Sequence, residues 1–114
     1  MIRPVLFGCV LLAASAPAFA SDPPPAFAAC AACHNAQPDS LGPDLHGVVG
    51  RKAGSLPGYR FSGPMRRSAL VWDAPTLVRY LENPQGTVPG NRMPMDGLAP
   101  AQAEQIVNYL QQLR

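Results

Sequence analysis

Cys30-Ala31-Ala32-Cys33-His34 is the stretch that decides how this chain folds. A C-x-x-C-H run reads as a c-type haem attachment site: two thiols for thioether bonds to the haem vinyl groups, then an imidazole for the iron. Each residue type stands at the offset its task requires. A C-x-x-C pair alone also suits a redox dithiol or half of a zinc site. The dithiol reading wants a thioredoxin-like βαβ pattern around the pair, and the sequence has none. The zinc reading wants further Cys or His ligands, and beyond the N-terminal segment only His46 remains. Haem attachment is the reading that uses all three residues.

The first twenty residues read as a cleaved signal peptide. Arg3 is a short positive n-region, Val5 to Ala14 form an apolar stretch, and Ala18-Phe19-Ala20 is an A-x-A-like cleavage site. The expected mature domain is therefore 21–114, beginning at Ser21. The apolar stretch is too short for a transmembrane helix, and no later segment is apolar enough to span a bilayer. Cys9 lies inside this leader with too little h-region before it for a lipoprotein cysteine, and is read as discarded with it. The remaining cysteines are then the motif pair alone, so no disulfide framework competes for them. Export also agrees with haem attachment outside the cytoplasm, and the expected address is the periplasm.

A chain this short buries a limited core, and domains of this size commonly need a staple. A covalently held haem would serve as an apolar plate for short helices. Charged residues make up only 14% of the chain, while 14 prolines and 10 glycines punctuate it, so much of it must be loop. The segment from Pro38 to Pro64 in particular reads as loop, of a length that suits wrapping a ligand. The formal net charge is +2, falling to +1 without Arg3. Arg51, Lys52, Arg60, Arg66, Arg67, Arg79 and Arg92 lie in the middle and late sequence, and Asp22, Asp39 and Asp44 early, which suggests a dipolar surface. A near-neutral balance without a basic helix or aromatic platform argues against nucleic-acid binding.

Three main helices are expected. The first runs from Asp22, as N-cap, to Ala32, with prolines in its first turn. The second follows Trp72, with Asp73 as N-cap, Pro75 in the first turn and Leu77, Tyr80 and Leu81 at i, i+3, i+4. It ends at Asn83, because Pro84 excludes its predecessor from the α region. The third begins at Pro100 and continues to Leu113, with Ile106, Tyr109, Leu110 and Leu113 as its buried stripe. A shorter helical turn over Ser62–Arg67 is a further candidate. No run shows strand alternation and no internal repeat is present.

Gln85 to Leu98 is a loop rich in Gly, Pro and Met. A haem iron with a proximal His has an open sixth position, where a thioether sulfur raises the potential. Met93 and Met95 lie in this loop, and Met65 lies in a region expected to cover the haem edge. Methionines also serve as core gap-fillers, so residue type alone does not choose between Met93 and Met95.

Several further segments, taken in order, carry a resemblance. They are Gly42-Pro43-Asp44-Leu45-His46-Gly47, Gly50-Arg51-Lys52-Ala53-Gly54, Pro57-Gly58-Tyr59, Trp72, Tyr80-Leu81-Glu82-Asn83-Pro84, Pro89-Gly90-Asn91-Arg92-Met93 and Asn108-Tyr109-Leu110. With the haem motif, they make Asp22 to Arg114 resemble the class I c-type cytochromes, in the mitochondrial cytochrome c and bacterial cytochrome c2 group. The resemblance implies an all-α class I fold: three main helices and long loops wrapped around one covalently bound haem c. It implies haem attachment through Cys30 and Cys33, His34 as proximal iron ligand and Met93 as distal ligand, with Met95 packed near the haem edge. It implies that the Pro43 carbonyl accepts a bond from the proximal imidazole, an interaction that orients a metal-binding histidine. It implies propionate contacts from Arg51 and Trp72, a pocket tyrosine near the distal sulfur at Tyr80, a polar loop residue at Asn91, and a haem-binding position at Tyr59. His46 is read as a loop histidine without a direct role.

Departures from the family pattern are also legible. Phe61 stands where a propionate-bonding tyrosine is common, so that bond is lost. Met65 replaces a polar pocket residue. Phe27 sits one position nearer the first cysteine than the usual packing aromatic, which puts its contact with the Ile106–Tyr109 helix in question. Lysines are few, so a basic docking ring is at best partial.

The implied function is that of a soluble periplasmic carrier of single electrons, not an enzyme. It would act as a monomer between redox proteins such as a quinol–cytochrome c reductase, a terminal oxidase or a periplasmic dehydrogenase. Arg92, Lys52 and Arg79 are the basic residues expected to dock them. Two other readings remain: a haem subunit of a larger oxidoreductase complex, and a haem peroxidase or gas-binding protein with a labile sixth ligand.

Overall fold

The computed structural model describes residues 1–2, 4–14 and 22–114. Arg3, the Ala18-Phe19-Ala20 cleavage site and Ser21 lie outside the described residues. Five helices and no strand occur among those described: α1 (Phe27–Ala31), α2 (Gly63–Arg67), α3 (Ala74–Glu82), α4 (Pro84–Thr87) and α5 (Pro100–Leu110).

Three of the five helices start on a side-chain cap, and α5 starts on Pro100 behind an uncapped Ala99. The Asp73 side chain accepts the Thr76 N–H at 2.8 Å and Pro75 lies in the first turn, so α3 begins where its sequence says. Ser62 caps α2 in the same way, accepting the Met65 N–H at 3.2 Å. The first helix departs from expectation. It starts at Phe27 behind Ala26, not at Asp22, and has no side-chain cap. Pro23, Pro24 and Pro25 explain this, since each proline drives the residue before it out of the α region.

Pro84 has a second role beyond ending α3. Asn83 closes α3 and also caps α4, its side chain accepting the Gly86 N–H at 3.0 Å, while Pro84 occupies the first turn of the new helix. The expected loop from Gln85 therefore opens with helix.

The core is the packing of α3 on α5. Leu77, Tyr80 and Leu81 face Ala103, Ile106, Val107 and Leu110, and Trp72, Met65, Val48, Ala53 and Val88 complete the cluster. The α5 stripe is rotated from expectation: Ala103 and Val107 are core, while Tyr109 and Leu113 are half-buried. Spacing of i, i+3, i+4, i+7 through Ala103, Ile106, Val107 and Leu110 is the regular one for a helix face. Tyr109 instead meets Phe27 edge-on, ring centroids 4.7 Å apart, so α1 is joined to α5 despite the shifted aromatic.

The long loop from Ala32 to Ser62 is fastened rather than free. The Gly47 N–H donates to Leu113 O at 2.8 Å, tying it to the C-terminus. Gly50 and Ala53 donate to Trp72 and Leu70 carbonyls, and Trp72 returns a bond to Arg51 O at 2.8 Å. These bonds pair the two segments around one isolated antiparallel bridge, Lys52 to Val71.

Candidate functional site

The motif occupies the end of α1 and the turn beyond it. His34 N–H donates to Cys30 O at 2.8 Å and Cys33 N–H to the same carbonyl at 3.1 Å, so the helical winding continues through the motif. Positions i and i+3 of such a winding are surface neighbours, which brings Cys30 and Cys33 to one side. Both thiols are free and half-buried. Burial pushes the Cys30 thiol above its ordinary value, and the nearby Cys33 adds to the shift.

His34 is oriented from behind. Its Nδ1 lies 2.7 Å from Pro43 O. A carbonyl only accepts, so Nδ1 carries the proton and the Nε2 lone pair is left for a metal. The chain reaches this position by a tight return: Gly42 N–H donates to Cys33 O at 2.8 Å, and Ser40 Oγ donates to the same carbonyl at 2.5 Å. Only glycine permits that return, because a Cβ at residue 42 would stand 2.5 Å from the imidazole Cε1.

A second cluster carries a sulfur donor. Tyr80 Oη lies 4.0 Å from Met93 Sδ. Burial lifts the Tyr80 hydroxyl to about 12, with a smaller contribution from the charge of Tyr59, so the hydroxyl stays protonated and can only donate toward sulfur. Trp72 packs on the Tyr80 ring with centroids 4.9 Å apart. Asn91 is buried, and its Oδ1 accepts the Met93 N–H at 2.8 Å while Nδ2 donates to Pro84 O and Val88 O. The turn before Met93 also rests on α2. Gly90 has φ +86°, and a Cβ there would lie 2.8 Å from Pro64 Cγ.

The other expected residues have definite places. Arg51 is half-buried, its guanidinium donating to Asp44 O and His46 O across the 44–51 loop. Tyr59 donates its hydroxyl to Leu41 O at 2.7 Å and stacks edge-on with Phe61 at 4.7 Å, pinning the loop next to Gly42. Met65 is in the core, whereas Met93 and Met95 are only half-buried. His46 is not featureless: its Nδ1 lies 2.6 Å from Asp44 Oδ1, and with the His46 N–H it lowers the Asp44 pKa. Gln85 was missed by sequence reasoning. Its side chain bonds both Gly90 N–H and Asn91 O, and nothing in its spacing marks it out.

These residues fit a covalently held haem. Two free thiols sit beside an imidazole with an available Nε2, and a thioether sulfur sits beside a fixed hydroxyl. Leu45, Phe61, Met93, Met95 and Leu98 pack against the core yet stay part-exposed, so they offer apolar surface to a further apolar body.

The Cytochrome c family model matches residues 25–114. Cytochrome c2 iso-2 of Magnetospirillum fulvum is 48% identical over 96 residues, covering 82% of this chain and all of that protein. Cytochrome c2 of Rhodomicrobium vannielii is 40% identical over 103 residues, covering 85% and 82% of the two chains. Among solved structures, cytochrome cH from Methylobacterium extorquens superposes with a TM-score of 0.71 at 43% identity, over 75% of this chain and 90% of that one. The ferricytochrome c2 of Rhodopseudomonas palustris gives a TM-score of 0.70 at 31% identity, over 77% and 92%. A haem-attachment motif, a matching donor set and a family match over nearly all of the folded residues lead to one conclusion: the chain belongs to the cytochrome c family, as a class I c-type cytochrome with one covalently attached haem c.

Proposed function

We propose that this cytochrome is a periplasmic single-electron carrier whose haem is attached through Cys30 and Cys33 and ligated by His34 Nε2 and Met93 Sδ. When bound, the haem supplies reversible one-electron exchange at its iron. The protein's part is to hold both donors in place before and after that exchange. Pro43 O keeps the His34 ring in one tautomer and orientation. Asn91 fixes the Met93 amide, and Tyr80 offers its proton toward the sulfur. Arg51 and Trp72 are the residues proposed for the propionates, with Tyr59 holding the neighbouring loop. The observation that carries the reading is the pair of donors: an imidazole held by the Pro43 carbonyl, and a methionine whose backbone N–H is held by Asn91 and whose sulfur lies 4.0 Å from Tyr80 Oη.

That pair favours a carrier over a peroxidase or gas-binding protein, whose sixth position must open. A stable place in a larger complex would show as co-purification with a partner. Export is supported by the leader. Val5, Leu6, Phe7, Val10, Leu11 and Leu12 are exposed and pack on nothing in the core, and residues 1–24 precede the family match. Among the described residues, no helix is long and apolar enough to cross a membrane.

Docking is best assigned to the two arginines beside the Met93 loop. Arg66 Nη1 and Arg92 Nη2 both donate to Phe61 O, at 2.7 and 3.2 Å, so two cationic forks share one carbonyl. Arg79 and Lys52, also expected to dock partners, are exposed; Arg79 donates to Thr76 Oγ1 on its own helix at 3.2 Å. An acidic redox partner with a small, weak interface suits such a pair.

The test is optical. Colour should remain with the polypeptide after acid-acetone extraction, and the ferric protein should show the weak near-infrared band of methionine ligation. Met93→Ala should abolish that band and admit carbon monoxide to the reduced form. Parent protein that binds carbon monoxide readily and lacks the band would overturn the carrier reading. N-terminal sequencing of periplasmic protein should begin at Ser21.

A further inference from the structure

The loop bearing Met93 is held by a side chain that none of the haem-binding arguments uses. Gln85 lies on α4 and is exposed. Its Nε2 donates to Asn91 O at 2.9 Å and its Oε1 accepts the Gly90 N–H at 3.1 Å. One side chain thus closes both the donor and the acceptor of the Gly90–Asn91 turn. Asn91 continues the series: Nδ2 donates to Pro84 O at 3.0 Å and Val88 O at 2.9 Å, and Oδ1 accepts the Met93 N–H at 2.8 Å. Gln85 therefore holds the backbone of the residue whose side chain in turn holds the amide of Met93. Packing does not demand glutamine there, since an exposed position accommodates most side chains.

We infer that Gln85 is a positioning residue that latches the Met93 loop and thereby sets how readily a small exogenous ligand reaches the sixth position of the iron. The inference rests on the reading of Met93 as distal ligand, and it names the residue that keeps this site closed. A ligand that binds only the open loop has an apparent affinity scaled by the open fraction. In the closed loop the Gln85 bonds restrain the turn on one side and Pro64 backs it on the other. Removing the two Gln85 bonds raises the open fraction while the α3–α5 core is untouched, so the opening stays local.

The experiment titrates imidazole into the ferric holoprotein, following the Soret shift and the near-infrared band, and records the far-UV thermal midpoint of each variant. Gln85→Leu should tighten imidazole binding about tenfold, the factor expected from losing one or two neutral hydrogen bonds in the closed loop. The closed loop is the native ground state, so the same loss should also lower the thermal midpoint, by roughly 5–10 °C for a domain of this size. Gln85→Glu keeps the acceptor for Gly90 N–H and loses the donor to Asn91 O, so its affinity should fall between the two. Met93→Ala serves as the fully open reference. If Gln85→Leu binds imidazole as weakly as the parent while Met93→Ala binds tightly, the latch is refuted and the ligand reading survives. Ile106→Val, a core change on α5, lowers the midpoint without touching the loop and should leave imidazole affinity at the parent's value; if it tightens binding as much as Gln85→Leu does, Gln85 is a general stabiliser and the latch is equally refuted. If Met93→Ala binds imidazole no better than the parent, the assignment of Met93 itself fails.

Discussion

Replacing Gly42 by alanine should strike the His34 imidazole directly. The new Cβ would lie 2.5 Å from Cε1, 2.6 Å from Nδ1 and 3.0 Å from Nε2, where ordinary contact begins at 3.4 Å. The ring or the backbone must therefore give way by about 0.9 Å. If the ring moves, it leaves Pro43 O; if the backbone moves, the Gly42 N–H leaves Cys33 O. Either route loses one hydrogen bond, about 1 kcal/mol, in addition to an overpacking cost of about 1–3 kcal/mol. The expected loss is about 2–4 kcal/mol of unfolding free energy. Guanidinium unfolding of the ferric holoprotein, followed by fluorescence of the single tryptophan Trp72, measures it. Gly50→Ala is the control: its Cβ meets nothing within 4 Å, and its φ of +88° confines the cost to backbone strain of about 1–2 kcal/mol. Gly42→Ala no more costly than Gly50→Ala, with an unchanged His34 ring spectrum by NMR, would refute the reasoning.

Four further outcomes are expected. With Met93 as the proposed distal ligand, Tyr80→Phe removes the proton offered to its Sδ and would make the sulfur a better donor to the oxidised iron. At a separation of 4.0 Å the bond is weak. The midpoint potential should fall by about 20 mV, equivalent to roughly 0.5 kcal/mol for one electron. The same hydroxyl is raised by burial from 10 to about 12 in the folded protein. Its contribution to stability is complete below pH 10 and disappears as pH rises through about 12, so alkaline unfolding should be steeper in the parent than in Tyr80→Phe. Asp44 is shifted the other way, below 3.8, first by the His46 N–H, then by the His46 side chain, with a smaller part from Arg51. Its contribution is present above pH 3.8 and lost as pH falls through the lowered value, so Asp44→Asn should flatten the acid limb of a stability–pH curve. The group is largely exposed, and the flattening should be small. Arg92→Glu places a negative charge beside the Arg66 guanidinium and should slow oxidation by an acidic partner more at low salt than at high salt; equal slowing at both would refute electrostatic docking.

Local capping chemistry made much of the helical frame legible. Asp73 with Pro75, and Ser62 with Pro64, are complete start signals within four residues, and both helices begin there. Pro84 was legible as a stop, and the Asn83-Pro84 pair also carried the start signal for α4, which was read only once. The proline run at 23–25 moved α1 to Phe27, because three restricted dihedrals outweigh one favourable cap at Asp22. The phase of the α5 stripe was misread because Tyr109 and Leu113 are apolar enough to fit a helical period while facing α1 and the C-terminal turn.

Sequence alone determined the haem motif, the thioether candidates and the starts of α2, α3 and α5, since each depends on neighbours a few residues apart. The tertiary structure decided which atoms meet across long separations: Phe61 O under Arg92, Tyr59 against Leu41, Phe27 against Tyr109, and Tyr80 beside Met93. It also singled out Gln85, whose role comes from a turn folded back over it rather than from its own spacing. The physical reason is one of range. Dihedral limits and caps act within a turn of chain, whereas ring contacts and side-chain bonds to distant carbonyls exist only once the core has brought those segments together.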